Sequence, residues 1–407
     1  MRGGDSSGLR AYNERLILNA ILRAGALSKA EIARATGLSG QAASVIVNRL
    51  LEDGLLIKRD KVRGQVGQPS TPIAANPSGA FSLGVKIGRR SVDAVLVNLL
   101  GEVIASRSQS YRVPYPEATV ETAARQANGL LAELDEARRE RVVGLGIAMP
   151  GELHGWATEL GLAADALAGW REIDAARALE EATGLSSALY NDGTAACAAE
   201  MIVGDGIVRR SALYVYLGTF IGGGVVLDGR LYRGEQLNAG AIGSMPTCAG
   251  DPQARPEQLI HRASVIALER VLEAAGIEAA SALSGADLPA AEPIFEAWAE
   301  GAVAVLARSV VSALAVIDFE AVVVDGLLPP SWRRRFTLRL AEALEGFDWT
   351  GLQPAEILPG SIGPMARVLG AAMLPLKARF SPDAELVVRS VASLVVGPNG
   401  AAGEASA

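Results

Sequence analysis

Apolar positions follow two rhythms along this chain, a helical one near the start and a strand-like one after it. Over residues 14–24, ERLILNAILRA, apolar side chains recur at Leu16, Ile17, Ala20, Ile21 and Ala24, and Gly25 ends the run. Ser28 followed by Glu31 makes a capping box, in which each side chain satisfies a backbone N–H, so a second helix is expected over 29–36, stopped by Gly37. Ser39 caps a third helix, whose apolar stripe runs through Ala43, Ile46, Val47, Leu50 and Leu51 to a stop at Gly54. A short apolar strand then leads into a basic, glycine-rich loop.

Two short helices joined by Gly-Leu-Ser, after a leading helix and before a basic hairpin, make the pattern of a winged helix-turn-helix, placed at residues 9–66. Its third helix starts at Ser39 and carries Gln41, Ser44, Asn48 and Arg49 on the polar face. Gln and Asn match adenine edges, and Arg matches guanine or phosphate. Lys58, Arg59, Lys61 and Arg63 of the wing suit the DNA backbone or minor groove. The competing reading is a three-helix packing module with solvated charges.

Residues 67–80 read as a linker, after which the pattern turns to strands. Segments 81–88, 91–99 and 102–111 read as three strands, 116–138 as a helix and 142–151 as a buried strand ending in Pro-Gly. A second set starts at Ala212 with a strand, a glycine-rich turn and a strand. A helix near 293–316 then leads into a buried strand at 320–326. The expected body is α/β, with two related halves and a cleft between them, over 81–392; residues 393–407 are expected to be a disordered tail.

Composition narrows the class. Half of the 407 residues are hydrophobic, yet no run of about 18 apolar residues is uninterrupted, and a membrane span is not expected. The first residues lack the apolar core of a secretory signal, and two cysteines, Cys197 and Cys248, do not make a disulfide framework, so a cytoplasmic protein is expected. Residues 1–70 carry 11 Lys+Arg and 6 Asp+Glu, a balance of +5, and the remainder carries −12. A basic head on an acidic body points to a polyanionic partner for the head alone.

Four segments carry a family resemblance: VVGLGIAMPG (142–151), YNDGTAAC (190–197), YLGTFIGGGVVLDGRLYRGEQLNAGAIGSM (216–245) and ILPGSIGPMARVLGAAML (357–374). Over 14–376 the chain resembles the ROK family (repressors, open reading frames and sugar kinases), in its winged-helix repressor branch. The resemblance implies a two-lobed, actin-like ATPase (ribonuclease H-like) sugar-kinase fold. A kinase of this family holds phosphate and Mg²⁺ at an Asp-x-Gly-Gly-Thr turn; the matching positions here, within SLGVKIGRRS, are Lys86, Gly88, Arg89 and Arg90. A lysine in place of the carboxylate repels Mg²⁺, so ATP is not an expected cofactor, and the stretch reads as a solvated basic turn.

The second turn, 217–224, is largely intact, and Gly222 and Gly223 serve either a ligand or a close strand crossing. The adenosine-side turn is altered at Asp325. Asn191 and Asp192 match the family's sugar-binding Asn and general base, while the bland reading makes Asp192 a helix N-cap. Ala241 and Ser244 stand where the family has a Glu and a His that bind sugar, and the latter also zinc. The following segment keeps only Cys248, and His261 does not complete a four-ligand site, so neither zinc nor another metal is expected. Cys197, Trp156 and Trp170 read as packing residues, and His154 as a loop histidine exposed to water near the cleft.

These features point to a regulator, not an enzyme: a repressor of carbohydrate-related genes with a catalytically inactive kinase-like body. Its expected partners are a double-stranded DNA operator, a sugar or sugar derivative, and a second copy of the chain, as a homodimer or dimer of dimers. The alternatives are an active sugar kinase fused to a DNA-binding domain, and a constitutive DNA-binding scaffold without an effector.

Overall fold

A computed structural model of the chain describes residues 6–60 and 71–382, apart from 152, 206, 208, 248–256 and 287. The expected tail at 393–407 lies outside the described residues, as do Lys61 and Arg63.

Three helices, Ser6–Ala24, Lys29–Thr36 and Gly40–Glu52, build the head. The capping box forms: the Ser28 N–H donates to Glu31 Oε2 at 2.8 Å and the Glu31 N–H to Ser28 Oγ at 3.3 Å. Ser39 Oγ accepts from the Ala42 N–H at 3.2 Å. Gly37 closes the second helix with φ 70°, a left-handed conformation that costs other residues a clash at Cβ. Ile17, Leu18, Ile21, Ile32, Ala43, Val47 and Leu50 form the core between these helices.

The head extends further than its sequence pattern indicated. Ile73–Ala75, inside the expected linker, is the central strand of a three-stranded antiparallel sheet, between Ala26–Leu27 and Leu56–Lys58. All three of its residues are buried. A single turn, Pro77–Gly79, then joins this sheet to the body, where the Leu99 N–H donates to Pro77 O at 3.3 Å. Among the described residues no slack tether separates head from body.

The two lobes of the body share one sheet topology. In the first, the strand order is Val103–Ser110, Ser91–Asn98, Phe81–Ile87, Val142–Met149, Ser187–Asn191. In the second it is Arg230–Tyr232, Gly222–Leu227, Ala212–Leu217, Ala321–Gly326, Glu356–Pro359. In each, the first three strands are antiparallel and the last two join in parallel, as at Val85 opposite Ile147 and Tyr214 opposite Val323. The helix expected over 116–138 is broken: Pro116–Leu131 ends, and Asp135 caps a short turn, Glu136–Arg139.

The helix Leu288–Val316 is long and apolar enough to cross a membrane by length and composition. Its Phe295, Ala299, Leu306 and Val310 are instead buried in the second-lobe core, where the Phe295 and Trp332 rings stack at 4.4 Å.

The helices Asp192–Val203 and Ala366–Phe380 pack on each other and the latter lies across the first sheet. Glycine allows this approach: a Cβ on Gly146 would sit 1.9 Å from Ala371 O, and one on Gly370 1.7 Å from Ala195 O. Pro375 lies inside Ala366–Phe380 and has no N–H to offer the Ala371 carbonyl. The far end of this helix reaches the head, where Met373 and Leu376 share a core with Leu99, Ile17, Leu18 and Ile21.

Candidate DNA face and effector cleft

On the third helix of the head the exposed positions are Gly40, Gln41, Val45, Asn48 and Glu52, a single stripe at helical spacing. Gln41 and Asn48 therefore sit on the outer face as expected, with Ser44 half-buried beside them. Asn48 Oδ1 accepts from Lys29 Nζ at 2.8 Å, which leaves its amide N–H₂ outward. Ser39 spends its hydroxyl on the helix cap. Arg49 is turned aside: its guanidinium lies 3.5 Å from Glu14 and 3.8 Å from Asp53, so it ties the third helix to the first. Val45, 65% exposed in the middle of the stripe, escaped the sequence reading because an apolar residue on a helix suggests core. Its methyl groups suit a thymine methyl. Lys58 ends the wing strand and Arg59 follows it; both are exposed, and the Arg59 N–H donates to Pro72 O at 2.8 Å.

A cleft of about 420 Å³ lies between the lobes. Asn191, Asp192, Gly222, Gly223, Ala241 and Ser244, spread over 54 positions of sequence, all line it. So do Trp156, Phe220, Asn238, Gln258 and His261, none of which was assigned to a ligand from sequence. Asn191, not Asp192, is the helix cap: its Oδ1 accepts from the Gly193 and Thr194 N–H groups at 2.9 and 3.4 Å. Its amide donates to Asn238 Oδ1 at 3.2 Å. Gly223 is a structural glycine, since a Cβ there would meet Tyr214 O at 2.3 Å, whereas Gly222 opens onto free space.

Asp192 opens the helix Asp192–Val203, with Arg367 Nη1 3.4 Å from its Oδ2. The cation thus comes from the first turn of Ala366–Phe380. Burial of Trp170 matches its packing assignment, with its indole N–H on Pro114 O at 2.8 Å. Trp156 departs from its own, since its ring stacks on Phe220 at 5.0 Å and forms cleft wall. Cys197 is fully buried, which pushes its thiol well up and leaves it unreactive.

A second cavity, of about 350 Å³, adjoins the first at the turn after Phe81–Ile87. The solvated basic turn expected there is instead a buried cluster. Lys86 is 7% exposed, and its ammonium bonds to Asp93 Oδ2 at 2.5 Å and Ser91 Oγ at 2.8 Å. Burial, and then the nearby Arg367, pull its pKa down to about 8. Arg89 lines both cavities and forms the wall between them. Its guanidinium sits beside the stacked Trp156–Phe220 pair, 5.0 and 4.4 Å from their centroids. Burial draws its pKa to about 10, so it stays charged at neutral pH. Arg90 points outward to Glu269 at 2.6 Å.

Asp325, at the altered adenosine-side turn, is fully buried and accepts from Tyr214 Oη, Arg333 and the Gly363 N–H at 2.8–2.9 Å. It is a brace within the second lobe. Among the described residues no group of three or more His, Cys, Asp or Glu side chains could hold a metal ion; Cys248 lies outside them.

Comparison with known proteins fits this geometry. The model of the ROK family matches residues 82–378, most of the chain. The chain belongs to the ROK family. A MarR family model matches residues 11–64, the winged head. The ROK chain is 29% identical over 373 residues to an uncharacterized Sinorhizobium fredii protein, y4fQ, covering 91% of this chain and 92% of that one. It is 22% identical over 241 residues to the Bacillus subtilis xylose repressor, covering 59% of this chain and 62% of the repressor's length. Its fold matches a crystal structure of a ROK family transcriptional regulator, a homologue of the E. coli MLC protein, with a TM-score of 0.66 at 19% identity, over 93% of this chain and 98% of that one. A Streptomyces griseus ROK glucokinase solved with glucose and AMPPNP matches the body alone, with a TM-score of 0.56 at 22% identity, over 72% and 99% of the two chains.

Proposed function

We propose that the chain is a DNA-binding transcriptional regulator, a repressor of sugar-related genes, whose kinase-like body senses an effector and carries out no phosphoryl transfer. One observation carries the reading: an outward-facing Gln41–Val45–Asn48 stripe on a winged head rests on a kinase fold whose transfer path is obstructed. At the metal-bearing position stands Lys86, bonded to Asp93, and the Arg89 side chain stands between the two cavities that sugar and phosphate donor would occupy. Asp192, the position of the family's base, is paired with Arg367 at 3.4 Å.

As a dimer the protein sets two third helices in major grooves about 34 Å apart on an operator. Effector binding acts at Arg367, and the helix it begins carries the change to the head through Leu376. The xylose repressor likeness makes sugars the first effectors to try.

Fluorescence anisotropy with DNA from upstream of the chain's own gene, over a salt series, tests the reading. Affinity should fall steeply with salt, and Gln41→Ala or Asn48→Ala should each cost about 1–3 kcal/mol on the selected sequence only. Binding no tighter than to random DNA removes the regulator. Sugar-dependent ATP consumption removes the inactive body.

A further inference from the structure

The charges between the lobes do not balance. Lys86, Arg89 and Arg367 are each more than nine-tenths buried, at 7%, 9% and 7% exposure. Two carboxylates face them, Asp93 on Lys86 and Asp192 on Arg367. The other arginines of this cavity are accounted for, Arg90 by Glu269 and Arg107 by Glu133, both at the rim. Arg89 forms no ion pair among the described residues; Asp192 acts on it only from a distance, and its close contacts are two aromatic rings. Nε of Arg89 and Nε of Arg367 are both buried without a hydrogen-bond partner. A buried guanidinium N–H left unpaired costs free energy, and a native fold keeps such a group where a ligand completes it.

We infer that the cleft selects a sugar or polyol bearing an oxyanion, phosphate or carboxylate, with the anion on Arg89 and Arg367 and the hydroxyls on the Asn191 and Asp192 side. The inference rests on the body being a sensor, as proposed above. A planar guanidinium fork accepts two oxygens of phosphate or carboxylate side by side, which ring faces cannot supply. The second cavity, of about 350 Å³, has room for a phosphate but no carboxylate cluster for a metal, so the anion binds without Mg²⁺. Neutral hexose loses two of its ordinary partners at Ala241 and Ser244 and leaves both Nε atoms unsatisfied. The oxyanion offsets the surplus positive charge of the cluster.

Isothermal titration of the full-length protein, without divalent metal, decides this with glucose, glucose 6-phosphate, gluconate, inorganic phosphate and AMP. At least one anionic sugar should bind ten-fold or more tighter than glucose, with affinity that weakens as salt rises. Glucose 6-phosphate against gluconate tells phosphate from carboxylate. Arg89→Gln and Arg367→Gln should erase the preference, while Arg107→Gln at the rim should keep it; circular dichroism melts verify that each variant is folded. Glucose binding as well as its anions, in a manner lost on Asn191→Ala, overturns the anion assignment and leaves the sensor standing. AMP binding tightest would mark a nucleotide remnant and overturn the sugar part. No binding by any of the five overturns the sensor reading itself.

Discussion

Arg367 reaches Asp192 across 175 positions of sequence, and neither residue's role is complete without the other. Family motifs pointed to Asn191, Asp192, Lys86, Ala241 and Ser244, and all but Lys86 line one cleft, with Lys86 in the cavity beside it. What they did not show was that Lys86 and Arg89 are buried, because charged residues beside a glycine suggest a solvated turn. Burial came from partners on other elements: Trp156, Phe220 and the helix carrying Arg367. The Lys86 pKa gives a prediction at this scale. An unfolded lysine holds its proton to about pH 10.5, whereas Lys86 in the fold releases it near 8. Between these values the unfolded chain binds more protons, so stability rises with pH through this window, and the cost of the buried charge is full below it. In urea melts wild type should gain roughly 2 kcal/mol on Lys86→Met between pH 7.5 and 10. A constant gap between the two would show that Lys86 titrates normally.

Elements were easier to anticipate than sites. Capping residues and glycine stops are local signals, and Ser28, Glu31, Gly37 and Ser39 mark the head helices within a residue or two. The strand Ile73–Ala75 was missed because three residues beyond a Pro- and Gly-rich stretch look like linker; only pairing with Ala26–Leu27 and Leu56–Lys58 makes them a strand. Recognition chemistry on the third helix was half legible for a related reason. Arg49 is polar yet faces Glu14, and Val45 is apolar yet faces outward. Val45→Asp should abolish operator binding in an anisotropy titration while leaving the melting temperature within a few degrees, since an exposed site changes stability by about 0.5 kcal/mol at most. The Gly146–Ala371 contact is the opposite case. A methyl at Gly146 has backbone 1.9 Å away, so Gly146→Ala should cost about 3 kcal/mol or more in chemical denaturation.

At the scale of the whole molecule, the sequence described a head, a tether and a two-lobed body, and the structure replaces the tether with a docked surface. Arg141 of the body donates to Asp53 O and Gly79 O at 3.3 and 3.1 Å, and Leu376 packs in one core with Ile17 and Ile21. A groove of about 460 Å³ remains between the first helix and Ala366–Phe380, lined by Leu22, Met373 and Leu376, so the docking is close but incomplete. In the function proposed above, coupling between cleft and DNA runs through packing, not through a swinging linker. Leu376→Ala should leave the affinities for operator and effector each within about three-fold, yet remove most of the effector's influence on DNA binding, a coupling of about 1–3 kcal/mol in proteins of this kind. Anisotropy with and without effector measures it; full retention of the effect would place the coupling elsewhere.

Pro375 gives that helix a mechanical character. Ahead of it, Ala366 to Leu374 is wedged between glycine-bearing strands and the helix Asp192–Val203; beyond it, one turn and a half bears on the head. Since the Ala371 carbonyl receives no hydrogen bond from residue 375, bending at that point breaks none. The helix is therefore a jointed crank instead of a rod. In the proposed regulator, a small displacement of Arg367 becomes a change of angle at its other end, and the gearing between effector and DNA is set by where the proline falls.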